Sequence, residues 1–226
     1  MQVTEIYRSI QGESSFAGLP CTFVRLTGCN LRCTWCDSEY TFSGGQRMAA
    51  EEIEAEVRRL ASSGLVEITG GEPMLQEREV VPLMGRLVAA GSTVLLETSG
   101  ERPLKNVPRA VHKIVDVKCP GSEEGDTFDV TNLSALSTRD EVKFVLATRN
   151  DYEFARDFVL AHGLLSRVAA VIFSPAFRKD ARGERDTSHC LLDPRGLADW
   201  IVADGLNVRL GLQIHKFIWA PETKGV

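Results

Sequence analysis

Short apolar runs and helical patterns alternate along most of this chain, and that alternation limits the fold class before any single residue is considered. "CTFVRLTG" (21–28), "LVEIT" (65–69), "TVLLET" (93–98), "KIVDVK" (113–118), "EVKFVLA" (141–147), "AAVIFS" (169–174) and "VRLGLQI" (208–214) have the length and branched composition of strands covered on at least one face. Between them, 48–63, 77–90, 151–162 and 194–204 read as helices. In the first, Ile53, Val57 and Leu60 recur at i, i+4 and i+7, with glutamates early and arginines late, as the helix dipole favours. A glycine closes each pattern (Gly64, Gly91, Gly163, Gly205), and Asp193-Pro194 supplies an N-cap and a first-turn proline for the last. Strands alternating with helices imply a parallel sheet with right-handed crossovers. With about six strand–helix steps in 226 residues, the expected architecture is α/β. It is a single domain over 1–226 forming an incomplete, TIM-like β/α barrel, because a closed eightfold barrel takes roughly 250 residues. The stretches 119–140 and 178–190 interrupt the rhythm and read as connections, the first with room for a short helix.

In such folds the chemistry gathers where strands end. Four unusual stretches fall at that edge: "GCNLRC" after 21–27, "GGEP" after 65–69, "TSGE" after 93–97 and "KCPGS" after 113–117. The sequence therefore predicts that they converge. A net charge of −5 argues against broad docking on nucleic acid, which leaves a basic footprint. No apolar run approaches the roughly 18 residues of a membrane span, and "MQVTEIYRSIQGESS" lacks the apolar region of a secretory signal. The expected location is the cytoplasm. In that reducing compartment closely spaced cysteines mean metal or redox chemistry more often than crosslinks.

Three of the six cysteines, Cys29, Cys33 and Cys36, fall within "GCNLRCTWCD". Two ligand arrangements suit them. A cubane iron–sulfur cluster can be held at three corners, leaving one iron open to a small chelating molecule. A tetrahedral zinc site would instead need a distant fourth ligand, such as Cys119, Cys190 or a histidine. Zinc sites usually pair one C-x2-C with a second short couple, and no second couple is present. Cys21, Cys119 and Cys190 read as small buried residues rather than ligands. "TGGEP" (69–73) follows a strand and precedes a helix, and its glycines allow close approach of backbone to a ligand.

The C-x3-C-x2-C spacing with an aromatic before the last cysteine resembles the signature of the radical S-adenosylmethionine superfamily, and "TGGEP" resembles that superfamily's glycine-glycine-glutamate motif. A narrower resemblance, to the 7-carboxy-7-deazaguanine synthases, runs through "SIQGE", "GCNLRCTWCDSEY", "TGGEPMLQ", "LLETSG" and "LQIHKFI". Other radical enzymes, the activases that abstract hydrogen from a partner protein, share the cysteine stretch but lack the "SIQGE" lead.

The narrower resemblance implies a carbon–nitrogen lyase that contracts the ring of 6-carboxy-5,6,7,8-tetrahydropterin to 7-carboxy-7-deazaguanine with loss of ammonia, on the route to queuosine and related 7-deazapurines. It implies a [4Fe-4S] cluster, S-adenosyl-L-methionine and Mg2+ as cofactors, an electron donor such as flavodoxin, and a homodimer. Residue by residue, it assigns Cys29, Cys33 and Cys36 to the cluster and Ser38 to magnesium, where serine replaces the family's usual threonine. It assigns Trp35, Cys36, Asp37, Gly71, Asp116, Val117, Lys118 and Ser174 to the cofactor, and Ile10, Gln11, Gly12, Arg25, Thr69 and Glu97 to the substrate. Asp116 and Val117 stand where the family often has Ser-Pro, and Ser174-Pro175 where it often has Gln-Pro. His215 matches the family's C-terminal stretch. The chain continues past Pro221, where some members end.

Overall fold

The computed structural model describes residues 1–60, 64–179, 187–219 and 223–225; Pro221 and most of the connection 178–190 lie outside them. Among the described residues nine strands form one sheet: β1 (Gln2–Ile10), β2 (Pro20–Leu26), β3 (Gln46–Arg47), β4 (Leu65–Gly70), β5 (Thr93–Thr98), β6 (His112–Asp116), β7 (Glu141–Leu146), β8 (Ala170–Pro175) and β9 (Arg209–Leu210). Their order is β3-β1-β2-β4-β5-β6-β7-β8-β9. From β2 to β9 every neighbouring pair is parallel, while β1 runs antiparallel to both β2 and β3. The sheet is open, with β3 and β9 at its edges, as an incomplete barrel requires. Four of its six parallel crossovers carry an α-helix: α1 (Ala50–Leu60), α2 (Glu77–Ala89), α3 (Arg149–Ala161) and α4 (Pro194–Asp204). The β5–β6 crossover is irregular, and β6–β7 passes through two 3-10 turns at Pro120–Ser122 and Val130–Ala135.

Two sequence expectations change. "SIQGE" was expected ahead of the first strand, but Ser9 and Ile10 end β1. β1 has no apolar run because its residues are nearly all half-buried, with only Val3 fully so. The strand expected at 208–214 shortens to Arg209–Leu210. The chain turns after Gly211, Gln213 takes a left-handed φ of 49°, and the Ile214 amide donates to the Gly12 carbonyl at 2.8 Å. A short helix, α5 (His215–Ile218), follows.

Helix ends follow their sequence signals. Asp193 accepts hydrogen bonds from the Arg195 and Gly196 amides at the start of α4, and Gly205 ends it in a left-handed conformation. Thr148 and Asp151 form a reciprocal capping box at the start of α3.

Strand periodicity divides the residues between two faces. Val24, Leu26, Val66, Ile68, Val94, Leu96, Val115, Val142, Phe144, Val171 and Phe173 pack in the main core, with Ile53 and Val57 of α1 and Val80, Leu83, Met84 and Leu87 of α2. The opposite, concave face begins with an apolar plug of Cys21, Phe23, Leu65, Leu95 and Ile114, joined by Tyr7 and Phe16. Tyr7 stacks on Phe23 with ring centroids 5.0 Å apart. Along each strand the inward residues turn from apolar to charged: Leu65, Glu67, Thr69 on β4; Leu95, Glu97 on β5; Ile114, Asp116 on β6. The floor of a cavity is thus written into alternate positions of otherwise apolar strands. No helix among the described residues is long and apolar enough to cross a membrane.

Candidate active site

The four stretches expected to meet at the strand ends do meet, around a cavity of about 1270 Å³ measured out to its open mouth. That figure includes the open mouth; the lining brings the three thiols, the Gly70–Glu72 turn and a cluster of charged side chains to one space. Cys29, Cys33 and Cys36 line it as free, partly exposed thiols, whereas Cys21, Cys119 and Cys190 are buried. The cysteine loop is braced from two sides. Glu72 donates its amide to the Gly28 carbonyl at 2.8 Å, and Gly71 its amide to Leu26 at 3.2 Å. On the other side the Thr34 amide and hydroxyl donate to the carbonyls of Ser122 and Gly121, at 3.1 and 3.0 Å, and the Arg32 amide donates to Glu124 at 2.6 Å.

Gly71 has no freedom to be anything else. A Cβ there would meet the Gly28 carbonyl oxygen at 2.2 Å and Cys29 Cβ at 2.8 Å. Glu72 is buried and accepts from the Met74 amide, the Thr98 hydroxyl, and the Ser99 amide and hydroxyl, at 2.9, 2.7, 2.8 and 2.8 Å. Its carboxylate therefore locks the ends of β4 and β5 together.

Beneath the thiols lies a charged floor. Lys143, 3% exposed at its side chain, forms ion pairs with Glu13 and Glu97 and lies 3.6 Å from Asp116. Burial opposes ionisation of Glu13, but Lys143 overcomes it and holds the carboxyl down at about 2. Gln11 donates to Glu67 at 2.6 Å, Gln213 to Glu13 at 2.6 Å, and the Thr69 hydroxyl to Glu97 at 3.2 Å. Burial, reinforced by the neighbouring Glu97, raises Glu67 well above the ordinary carboxyl range. Arg25 forms the side wall, donating to Glu5 at 3.0 Å and to the Tyr7 hydroxyl at 2.7 Å. The C-terminal segment closes the opposite side: His215 packs against Gly12, and Lys216 pairs with Asp37 at 2.6 Å.

Of the residues singled out in the sequence, Ile10, Gln11, Gly12, Arg25, Trp35, Asp37, Ser38, Thr69, Gly71, Glu97, Asp116 and Lys118 line this cavity together with the three cysteines. Val117 and Ser174 do not. Strand alternation turns Val117 to the main core, between the inward Asp116 and Lys118. Ser174 is 2% exposed and sits where a Cβ on Gly211 would meet its hydroxyl at 2.5 Å. Sequence reading missed Glu13, Glu67, Lys143, Gln213 and Lys216 as cavity residues. The signal for two of them was visible, a single charge at the centre of an apolar strand in "LVEIT" and "EVKFVLA".

The residues fit an iron–sulfur cluster with a bound cofactor. Three thiols share one cavity, yet among the described residues no three Cys, His, Asp or Glu side chains converge on a point one ion could occupy. Burial raises the Cys29 thiol and pushes Cys33 up to about 11, so it is a bound cationic centre that would make them thiolates. Asp116 Oδ1 is buried at the cavity with no hydrogen-bond partner among the described residues, an acceptor available to a ligand donor.

Comparison with known proteins agrees with this geometry. Residues 23–161 match the family model of the radical SAM superfamily. The chain is 70% identical over its whole length to the full-length 7-carboxy-7-deazaguanine synthase of Koribacter versatilis. It is 40% identical to that of Chlorobaculum tepidum, covering 100% of this chain and 97% of the relative. Among solved structures, QueE from Escherichia coli shares the fold with a TM-score of 0.72 at 23% identity, over 93% of this chain and 92% of that one. The chain belongs to the radical S-adenosylmethionine superfamily and, within it, to the family of 7-carboxy-7-deazaguanine synthases.

Proposed function

We propose that the protein is a radical lyase that contracts the ring of 6-carboxy-5,6,7,8-tetrahydropterin to 7-carboxy-7-deazaguanine with release of ammonia. The observation that carries this reading is the union, in one cavity, of three thiols at the strand ends with a fixed arginine and an acid-rich floor. Cys29, Cys33 and Cys36 would hold the [4Fe-4S] cluster, and Trp35, Asp37, Gly71, Asp116 and Lys118 would border S-adenosyl-L-methionine. The loaded cluster and cofactor supply one-electron chemistry that removes a hydrogen atom from the substrate carbon bearing the carboxylate.

The chain's own residues position and enclose. Arg25, anchored by Glu5 and Tyr7, presents a fixed cation to the substrate carboxylate. Thr69 and Glu97, bonded to each other, present an oxygen edge to the pterin ring. Gln11 and Gly12 approach from the N-terminal segment, where the lack of a side chain on Gly12 lets His215 close over it: a Cβ there would lie 2.0 Å from the imidazole Nδ1. The Lys216–Asp37 pair ties that closure to the cysteine loop, and Trp35, Phe42 and Phe177 line the walls with apolar surface that excludes water from a reactive intermediate. The Ser38 hydroxyl, a hard oxygen ligand, would hold magnesium, which would supply positive charge near the substrate carboxylate; with a single protein ligand its binding would be weak. Reducing power comes from an external donor such as flavodoxin, and the working form is a homodimer in the cytoplasm.

Anaerobic incubation of the reconstituted protein with S-adenosylmethionine, a reductant and the pterin tests the reading. Mass analysis should find 7-carboxy-7-deazaguanine and one equivalent of ammonia. Cofactor cleavage with the pterin left intact would refute it.

A further inference from the structure

Glu67 is an acid that the fold does not need. It occupies the middle inward position of β4, between Leu65 of the apolar plug and Thr69, and is 1% exposed. Burying a carboxyl there is costly unless something compensates it. Lys143, the cation of the floor, pairs with Glu13, Glu97 and Asp116 instead. The partner of Glu67 is a neutral amide, Gln11 Nε2 at 2.6 Å. Its apolar surroundings and the adjacent Glu97 keep it well above the ordinary carboxyl range. Thermodynamically a leucine would serve the plug better, yet the carboxyl lines the cavity.

Sheet register says which part of a ligand it meets. Arg25 lies beside Thr69 and Phe23 beside Glu67, so Glu67 lies one inward step farther from the thiols than Arg25. That step is about 6.6 Å along a strand, on the order of the long axis of a bicyclic heterocycle. A pterin whose carboxylate-bearing carbon faces the thiols and Arg25 therefore extends its amino-pyrimidinone edge towards Glu67 and Gln11. That edge offers N–H donors and a carbonyl acceptor, and a carboxyl beside an amide offers the complement.

We propose that Glu67 is a specificity-determining residue which, with Gln11, reads the amino-pyrimidinone edge of the substrate and selects 2-amino pteridines over analogues lacking that amine. The inference rests on the pterin reading above and adds to it a residue and a chemical criterion of selection.

The test uses the cluster- and cofactor-loaded protein without reductant, titrated with fluorescent 6-carboxypterin and with its 2-desamino counterpart, for the wild type and Glu67→Leu. The wild type should prefer the amino compound by about tenfold or more, the usual range for a hydrogen bond to a charged or strongly polar buried group. In Glu67→Leu, which keeps the plug apolar and removes both the acceptor and the donor, the preference should fall below about threefold. Its KM for the tetrahydropterin should rise about tenfold while kcat changes far less, and the cluster absorbance near 400 nm should persist. A variant that keeps the wild-type preference overturns the proposal. So does one that loses its cluster or its fold, because Glu67 would then be structural. If the wild type neither binds 6-carboxypterin nor consumes the tetrahydropterin, the pterin reading itself has failed, an outcome distinct from the loss of selectivity in the variant alone.

Discussion

Replacing Lys143 with methionine removes the cation that, alone among the described residues, pairs with Glu13, Glu97 and Asp116 together. Methionine keeps most of the side chain's length and its apolar stem, so the change isolates the charge. Against the opposing effect of burial, Lys143, with smaller help from His215 and Lys216, lowers Glu13 from an ordinary 4.5 to about 2. At 1.36 kcal/mol for each pKa unit, that difference is worth about 3 kcal/mol at pH 7. The same figure falls within the 3–5 kcal/mol typical of breaking a buried ion pair from one side.

The sign follows from linkage. A carboxyl whose folded pKa is depressed contributes its full stability above the unfolded value of 4.5, and loses it as pH falls towards 2. At pH 3 less than half of that contribution remains. In a chain of this size about 1 kcal/mol moves the thermal midpoint by about 2–4 °C. Lys143→Met should therefore melt about 6–12 °C below the wild type at pH 7, with less than half that gap at pH 3. Circular dichroism of the two cluster-free chains, compared at both pH values, measures this. A gap under 2 °C at pH 7, or one that does not shrink in acid, would refute the reasoning.

Three further outcomes follow from the packing. Gly71→Ala drives a methyl into the Gly28 carbonyl and Cys29 and should cost about 1–3 kcal/mol, together with most of the bound iron measured after reconstitution. Gly12→Ala places a methyl inside His215; the C-terminal segment must move, and KM for the pterin should rise at least tenfold while the cluster spectrum stays unchanged. Glu72→Gln leaves some of its four donors without a charged acceptor and should lower stability by about 1–3 kcal/mol in urea titrations.

The parallel strands β2 and β4 to β8 were legible because they are buried on nearly all positions of both faces and spell largely apolar runs. The exposed β9, shorter than its apolar run implied, was legible only in part. β1 was not, since a half-exposed antiparallel strand such as Gln2–Ile10 carries no such run. The cysteine loop and "TGGEP" were legible from spacing, and the register of β2 with β4 brings them together as expected. Glu67 and Lys143 stood in plain view inside apolar strands, but a lone charge on a strand acquires meaning only once the neighbouring strands are known. Lys143 matters because β6 and Glu13 flank it, and Glu13 arrives from 130 residues away. The reach of Gln213 back to Glu13 spans 200 residues, a contact that no local pattern encodes. Val117 shows the reverse: adjacent in sequence to Asp116 and Lys118, it faces the other side of the sheet.

The central claim is that Cys29, Cys33 and Cys36 together hold a four-iron cluster with one iron left for the cofactor. Electron paramagnetic resonance of the reduced, reconstituted protein tests it most directly, with and without S-adenosylmethionine and alongside Cys33→Ala. The account predicts four irons per chain, a reduced-cluster signal whose shape changes on adding the cofactor, and no such signal in Cys33→Ala. A bound zinc in place of iron, a cluster spectrum indifferent to the cofactor, or a Cys33→Ala variant that keeps both signal and turnover would contradict it.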